Sequence, residues 1–484
     1  MSASNSQIRS PSGNDPPPAA EPAVARHSAL QGPLARYGRG SLVILLVIMA
    51  VGFGLRLEKV VNPLSEPGDD ALAYRALAES LYLDGTYGPP GFTYRSDWSP
   101  GAPLIYAGAY YLTGKVRDGV ARGVEALFGT AAILVVFLLT ARIARPRDGP
   151  EPSPVAPGIQ TAALLAAGMV AVYPPFIHST GALMSEPPAI FTLPAAVLAF
   201  LWADSRGSPW AWIAPGLLFG ATALIRPEYL AVAFAFGILL LVRLGLTRGL
   251  RKTLAGAVVF AAAVLIPIIP WTIHNYVTLD RVVPISTGSG KALFVGTSLP
   301  DDGEYQRVKA SLLERYTGRE LPPGSDALDR VDPVPLFDRA ALRYPELTRD
   351  AALGKIGKEN LNDYLGADPL GYLGMTVRKV GRMWGSGVGE AMSSPAGAAI
   401  QKLLVVLGVA GLVLLAWRRR WEGIAIATPI VTVTAVGAAT LAPARRNEIL
   451  MTLILPLAAL ALAEAGAWIA RWHGTGPGKK TEQN

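Results

Sequence analysis

About ten stretches of this chain carry apolar side chains at nearly every position, and the rest connects them. They cover roughly residues 41–57, 119–141, 159–172, 189–203, 210–225, 229–242, 254–271, 400–417, 423–441 and 449–469. An amphipathic soluble helix would show polar side chains on one face, and these runs do not. Most approach the ~20 residues that cross a bilayer as a helix. Within lipid a helix satisfies its own backbone hydrogen bonds, so the pattern predicts an all-α polytopic membrane protein with about ten or more transmembrane helices.

The polar connections divide the chain. Residues 1–40 (SPSGNDPPPAAEPA and its flanks) lack apolar periodicity and predict a disordered cytoplasmic tail. The first apolar run starts too late for a cleavable signal peptide, and no A-x-A site follows it. An N-terminal transmembrane module, 41–271, contains a first external loop at 58–118. That loop holds the acidic turn Glu66–Asp70 and the helix-like stretch DDALAYRALAESLYL. It ends in a short apolar piece, LIYAGAYYL, too short to span. The loop therefore predicts amphipathic interface helices, with Tyr106, Tyr110 and Tyr111 at headgroup level. Residues 272–396 form a second, mixed external region. Its β-branched start, NYVTLDRVVPISTGSGKALFVGT, predicts short strands or loops, and its later part predicts amphipathic helices. C-terminal membrane helices at 397–470 and a cytoplasmic tail at 471–484 complete the chain, and no internal repeat is visible.

Charge orients this arrangement. Arg36/Arg39, Arg142/Arg145/Arg147, Arg243/Arg248/Arg251/Lys252, Arg418–Arg420 and Lys479/Lys480 all fall at alternate ends of the runs. The positive-inside rule places them and both termini in the cytoplasm, and both long loops outside. The formal net charge of +8 is then a mark of topology in a multi-pass cell-membrane protein. No nucleic-acid motif is present, and no nucleic-acid partner is expected. The absence of cysteine excludes disulfides, cysteine nucleophiles and thiolate metal sites. No His/carboxylate spacing argues for a metal, although a divalent ion is left open, and no cofactor is called for.

Ionisable residues gather at the external boundary: Asp69 and Asp70, Asp97, His178 with Glu186, Arg226 with Glu228, His274, Asn275 and Lys291, and Arg445 with Arg446. Each has a plain reading. An Asp caps a helix or a turn, a Glu pairs with a nearby Arg, an Arg snorkels to lipid, and a His is hydrogen-bonded at an interface. Together they fit a sharper one. Arginine suits a phosphate, and a carboxylate can take the proton of an attacking hydroxyl. That chemistry is sugar transfer from a polyprenyl phosphate, whose phosphate leaves as an anion.

The order of GDDALAYRALAESL, SPGAPLIYAGAYYLTG, GALMSEPPAIF, ALIRPEYL, PWTIHNYVTLDRVVPISTGSGKALFVGT and DPLGYLGMTVRKVGRMW resembles the GT-C membrane glycosyltransferases. It is most similar to glycosyltransferase family 39, which includes protein O-mannosyltransferases and lipid A aminoarabinose transferases. The resemblance covers about residues 41–470. It implies a GT-C fold and a catalytic carboxylate after the first span. The family's Asp four residues before a Tyr matches Asp70 with Tyr74, with Asp69 capping or orienting the helix. It also implies substrate-binding roles for Glu186 and Arg226. The family's Trp-x-x-Arg-Asn-Tyr motif reads Trp271 to Tyr276 with His274 in place of Arg. Trp98-Ser99 stand before Pro100 where aminoarabinose transferases have a lysine. Phosphate binding is then expected of Arg445, Arg446 or Lys291.

The reading is an inverting glycosyltransferase acting extracytoplasmically, with a polyprenyl-phosphate sugar donor, a glycan, lipid or protein acceptor, and membrane lipids as partners. The alternative is a transporter or flippase of a lipid-linked glycan, which predicts midplane charges and related halves. A non-catalytic cell-wall assembly subunit is the third.

Overall fold

A computed structural model describes residues 33–63, 69–89, 95–145 and 155–474. Most of the expected N-terminal tail, the turn residues Glu66–Gly68 and the end of the C-terminal tail lie outside them. The first helix, α1 (Arg39–Val61), has 23 residues, enough to cross a bilayer, and most of its side chains face outward. One of its residues turns inward: the guanidinium of Arg56 is fully buried and donates to the carbonyls of Gly52, Val170 and Ala171. Gly129 leaves room for it, because a Cβ there would overlap Arg56.

The first long loop contributes α2 (Asp69–Leu83) and α3 (Gly101–Thr113). Ala71, Tyr74 and Ala78 lie on one face of α2 and pack with Ala102, Tyr106 and Tyr110 of α3. This corrects the headgroup assignment of the three tyrosines. Tyr106 and Tyr110 are buried and only Tyr111 is exposed, since α3 turns its aromatic face toward α2. The next helices are α4 (Asp118–Ala144), α5 (Pro157–Val172), the short α6 (Pro174–His178) and α7 (Glu186–Asp204). A 51° bend separates α5 from the segment Pro174–Gly181. Pro174 and Pro175 cause it, lacking the N–H groups that would continue the helix.

Then follow α8 (Ile213–Ile225), α9 (Tyr229–Arg248) and α10 (Leu250–Leu279). With the turn before it, α8 reaches 17 residues only, short for a span. It packs along α10 through Gly216 and Gly220, where a Cβ would crowd Ala263, the Phe260 carbonyl and the Val264 carbonyl. Small residues four apart allow helix backbones to approach closely in lipid.

The second long polar region is helical throughout its labelled elements: α11 (Ser289–Gly296), α12 (Tyr305–Thr317), α13 (Val334–Ala341), α14 (Arg349–Ala367) and α15 (Pro369–Gly385). Val295, Val308, Leu312, Leu328, Phe337 and Leu353 give it its own core. The strands expected at its start are absent among the described residues; α10 runs on to Leu279, and α11 covers Ser289–Gly296. The extended chain between them has no strand to pair with. Instead Asn275 donates to the carbonyls of Val283 and Ile285, Trp271 to Ile285 and Thr272 to Pro284. Side chains of one helix thus satisfy backbone groups that a ladder would otherwise take, and β propensity gives way to context.

The chain closes with α16 (Pro395–Trp417), α17 (Glu422–Ala439) and α18 (Arg445–Gly474). Among the described residues eight helices are long and apolar enough to span, and the bent pair makes nine. All ten predicted apolar runs are helical, and α8 is the one that falls short in length. The protein is an all-helical polytopic membrane protein, with α4, α7 and α18 the most buried of its long helices.

Gly220→Val is expected to destabilise the protein by about 1–3 kcal/mol through overpacking. Thermal denaturation in detergent should show it, whereas Gly54→Val, at a position with no atom within 4 Å, should not.

Candidate active site

Asp70 lies in the first turn of α2, seated by the packing of Tyr74 and its neighbours. Its Oδ2 accepts from Arg445 Nη1 at 2.5 Å, across 375 positions of sequence. Its Oδ1 accepts from the indole N–H of Trp98 at 3.4 Å. The two side chains remain 36% and 43% exposed, so the pair is open to a ligand. Burial pushes the Asp70 carboxyl up, but Arg445 and the Trp98 hydrogen bond outweigh it and hold the group below its ordinary value. Burial and the Asp70 charge push the Tyr74 phenol up, so it stays a neutral hydroxyl. Asp69 opens the same helix, and its side chain lies outside the described residues.

Behind this pair is a buried ionic network. Arg226 pairs with Glu186 at 2.7 Å and Glu228 at 3.0 Å, and its side chain is only 9% exposed. Arg226 also donates to the Ser185 hydroxyl at 3.4 Å. Arg446 approaches Glu228 at 3.9 Å and donates to Thr440. Burial pushes Glu228 up, yet Arg226 and Arg446 pull its carboxyl down to about 2. Arg226 is thereby saturated with carboxylates. Consecutive residues of α18 divide the work: Arg446 joins the buried network and Arg445 reaches the open pair.

A third group joins the two external loops. Asp97 accepts from the Thr287 hydroxyl and pairs with Arg349 at 3.4 Å. The backbone N–H of Thr287 donates to the Ser96 carbonyl at 2.7 Å. These residues line a small cleft of about 100 Å³ with Arg281 and Lys291. Lys291 lies in the field of Asp97, Arg349, Asp70 and Arg445, and burial pulls its ammonium below the ordinary lysine value. It connects the cleft to the Asp70–Arg445 pair.

The remaining expected residues are placed differently. His274 stacks on Trp271, with ring centroids 4.6 Å apart, and meets Tyr87 edge-on. Asn275 is buried and holds the loop carbonyls named above, so its amide supports structure. His178 lies against Gly389, with Lys59 and Glu390 as its charged neighbours, and is not drawn to Asp70. Two buried carboxyls were not anticipated. Glu125 of α4 contacts the Tyr106 hydroxyl at 2.6 Å and accepts from the Met184 N–H. Glu448 of α18 is 1% exposed and lies near Glu186. Glu125 sits inside an apolar run and Glu448 at the edge of one, and an ionisable residue there was itself the available signal. The sequence offered Trp98 only as a residue before Pro100, with nothing to tie it to Asp70. Among the described residues no three His, Cys, Asp or Glu side chains form a group that could hold a metal ion.

No protein-family model matches the chain, and no curated protein does. In three dimensions it is similar to the oligosaccharyltransferase of Archaeoglobus fulgidus. The apo form matches with a TM-score of 0.52 and 17% identity, over 91% of this chain and 52% of that one. The form tethered to an acceptor peptide with the NVT sequon gives 0.50 and 16%, over 90% and 51%. The fold is GT-C-like. The chain spans about half the length of those proteins, and at such identities the likeness is one of fold alone. ArnT from Cupriavidus metallidurans bound to undecaprenyl phosphate is matched at 16% identity over 91% and 81% of the two chains, with a TM-score of 0.33, too loose to build on.

Arg226→Met leaves two buried carboxylates without their cation and is expected to cost about 3–5 kcal/mol. The midpoint of thermal denaturation should fall, and adding Glu186→Gln should recover part of it. Glu228 is ordinarily near 4.5 and held at about 2, so its contribution is complete above 4.5 and is lost as pH falls toward 2. The network should therefore be no weaker at pH 5 than at pH 7.

Proposed function

We propose that the protein is an inverting membrane glycosyltransferase. It takes a sugar from a polyprenyl-phosphate donor and places it on an acceptor hydroxyl at the extracytoplasmic face. The observation that carries this reading is the open Asp70–Arg445 pair beside Lys291, a carboxylate with two cations at one end of a GT-C-like bundle. Arg226 is already taken by two carboxylates, which leaves Arg445 and Lys291 as the cations for a phosphate. Asp70 takes the proton of the acceptor hydroxyl as its oxygen attacks the anomeric carbon. The bond from that carbon to the donor phosphate oxygen breaks on the opposite side, and its electron pair leaves on the phosphate. Arg445 and Lys291 stabilise that charge. A single displacement inverts the configuration, and Asp70 then returns its proton to water.

The finer resemblance to family 39 rests on the quoted motifs. The fold neighbour is described as an oligosaccharyltransferase, one form of it tethered to an acceptor peptide, which supports group transfer to an external acceptor. A transporter of lipid-linked glycans fits less well, because the ionisable groups described above cluster at one end of the bundle and not at its midplane.

Asp70→Asn is expected to lower sugar transfer from a labelled polyprenyl-phosphate donor by about 10²–10⁴-fold, the range for loss of a general base, with folding retained. Full transfer in that variant and in Asp69→Asn would overturn the assignment. Arg445→Gln removes the cation that holds Asp70 down, so its carboxyl titrates higher. The acid limb of the pH–rate profile should move to higher pH in that variant.

A further inference from the structure

The tight reversal between α9 and α10 builds a second polar site. Gly249 adopts φ 76°, a left-handed conformation that glycine allows, and brings the last residue of α9 beside the first turn of α10. The resulting cavity, about 340 Å³, is lined by Arg248, Arg251, Lys252, Ser208 and Trp212 among others. It lies at the far end of α9 from Arg226 and Glu228. Twenty helical residues separate them, roughly 30 Å, or one bilayer core.

The cavity is rich in donors. Three cations line it and no carboxylate does. Arg248 is fixed by donating to the carbonyls of Asp204 and Arg206. The nearest acid, Asp204, is paired with Arg243 at 3.2 Å. Arg251 and Lys252 make no ion pair among the described residues. Trp212 is 1% exposed, and its indole edge packs against Gly256 of α10.

Surroundings identify the kind of anion. Trp210, Leu246, Leu250 and Leu254, all large, apolar and exposed, flank the lining residues in sequence. A free phosphate would gain nothing from them, whereas a phospholipid would lay its acyl chains there. We infer that this cavity binds the phosphate headgroup of an anionic phospholipid, at the membrane face opposite Asp70. Arg248, Arg251 and Lys252 meet the charge.

The test uses full-length protein purified in zwitterionic detergent and given equal amounts of phosphatidylglycerol and phosphatidylcholine, with retained lipid read by native mass spectrometry. Wild type is expected to retain phosphatidylglycerol in preference by about tenfold. Arg251→Ala with Lys252→Ala should abolish the preference. Arg418→Ala, an exposed cation outside the cavity, should leave it intact. Equal retention of the two lipids, wild-type behaviour of the double variant, loss of preference in Arg418→Ala, or displacement by inorganic phosphate would each overturn the inference. None of these outcomes bears on Asp70.

Discussion

A guanidinium inside a helix bundle in lipid must be paired, and the arrangement of the site follows from how Arg226 meets that demand. Its partners, Glu186 and Glu228, come from the start of α7 and the turn before α9. Arg446 at the start of α18 leans on Glu228. The network therefore locates three helix ends against one another. Once Arg446 is held on the buried side, its neighbour Arg445 faces the other way, toward Asp70. The position of the open pair is thus a consequence of the closed one.

The two sets of charges have opposite requirements. The buried set is closed off, and its carboxylates are paired with arginines. The open set is a single contact with a third or more of each side chain exposed. A carboxylate bound to one arginine at 2.5 Å is restrained but can be released when an anion competes for that arginine. The enclosed and the accessible charges are different residues, although both come from the same short acidic and basic segments.

Much of this was legible in the sequence. The apolar runs announced the helices because lipid allows little else. Glu186, Arg226, Glu228, Arg445 and Arg446 stood out because charges at the edge of apolar runs demand partners. Who pairs with whom was not legible: Arg226 and Arg445 look equivalent in one dimension, and only packing shows that one is enclosed and the other exposed. Propensity misled at residues 275–297, where side chains of α10 took the carbonyls that strands would have paired. It misled again at Tyr106 and Tyr110, where an aromatic face suited to an interface found a protein surface instead. Glu125 and Glu448 were visible as charges, but nothing in one dimension tied them to Tyr106 and Glu186, or Trp98 to Asp70.

The brace between the external loops has a bearing on how such a chain can diversify. Asp97 is held by Thr287 and Arg349, and Trp98, the next residue, touches Asp70. The second long polar region is therefore not an independent cassette that can be exchanged for another of similar size. Its boundary with the first loop is part of the wall around Asp70. Lineages that remodel this region must keep the Thr287 and Arg349 anchor points or change the first loop in step, while the exposed turn around Gly318 to Gly324 is free to vary in length.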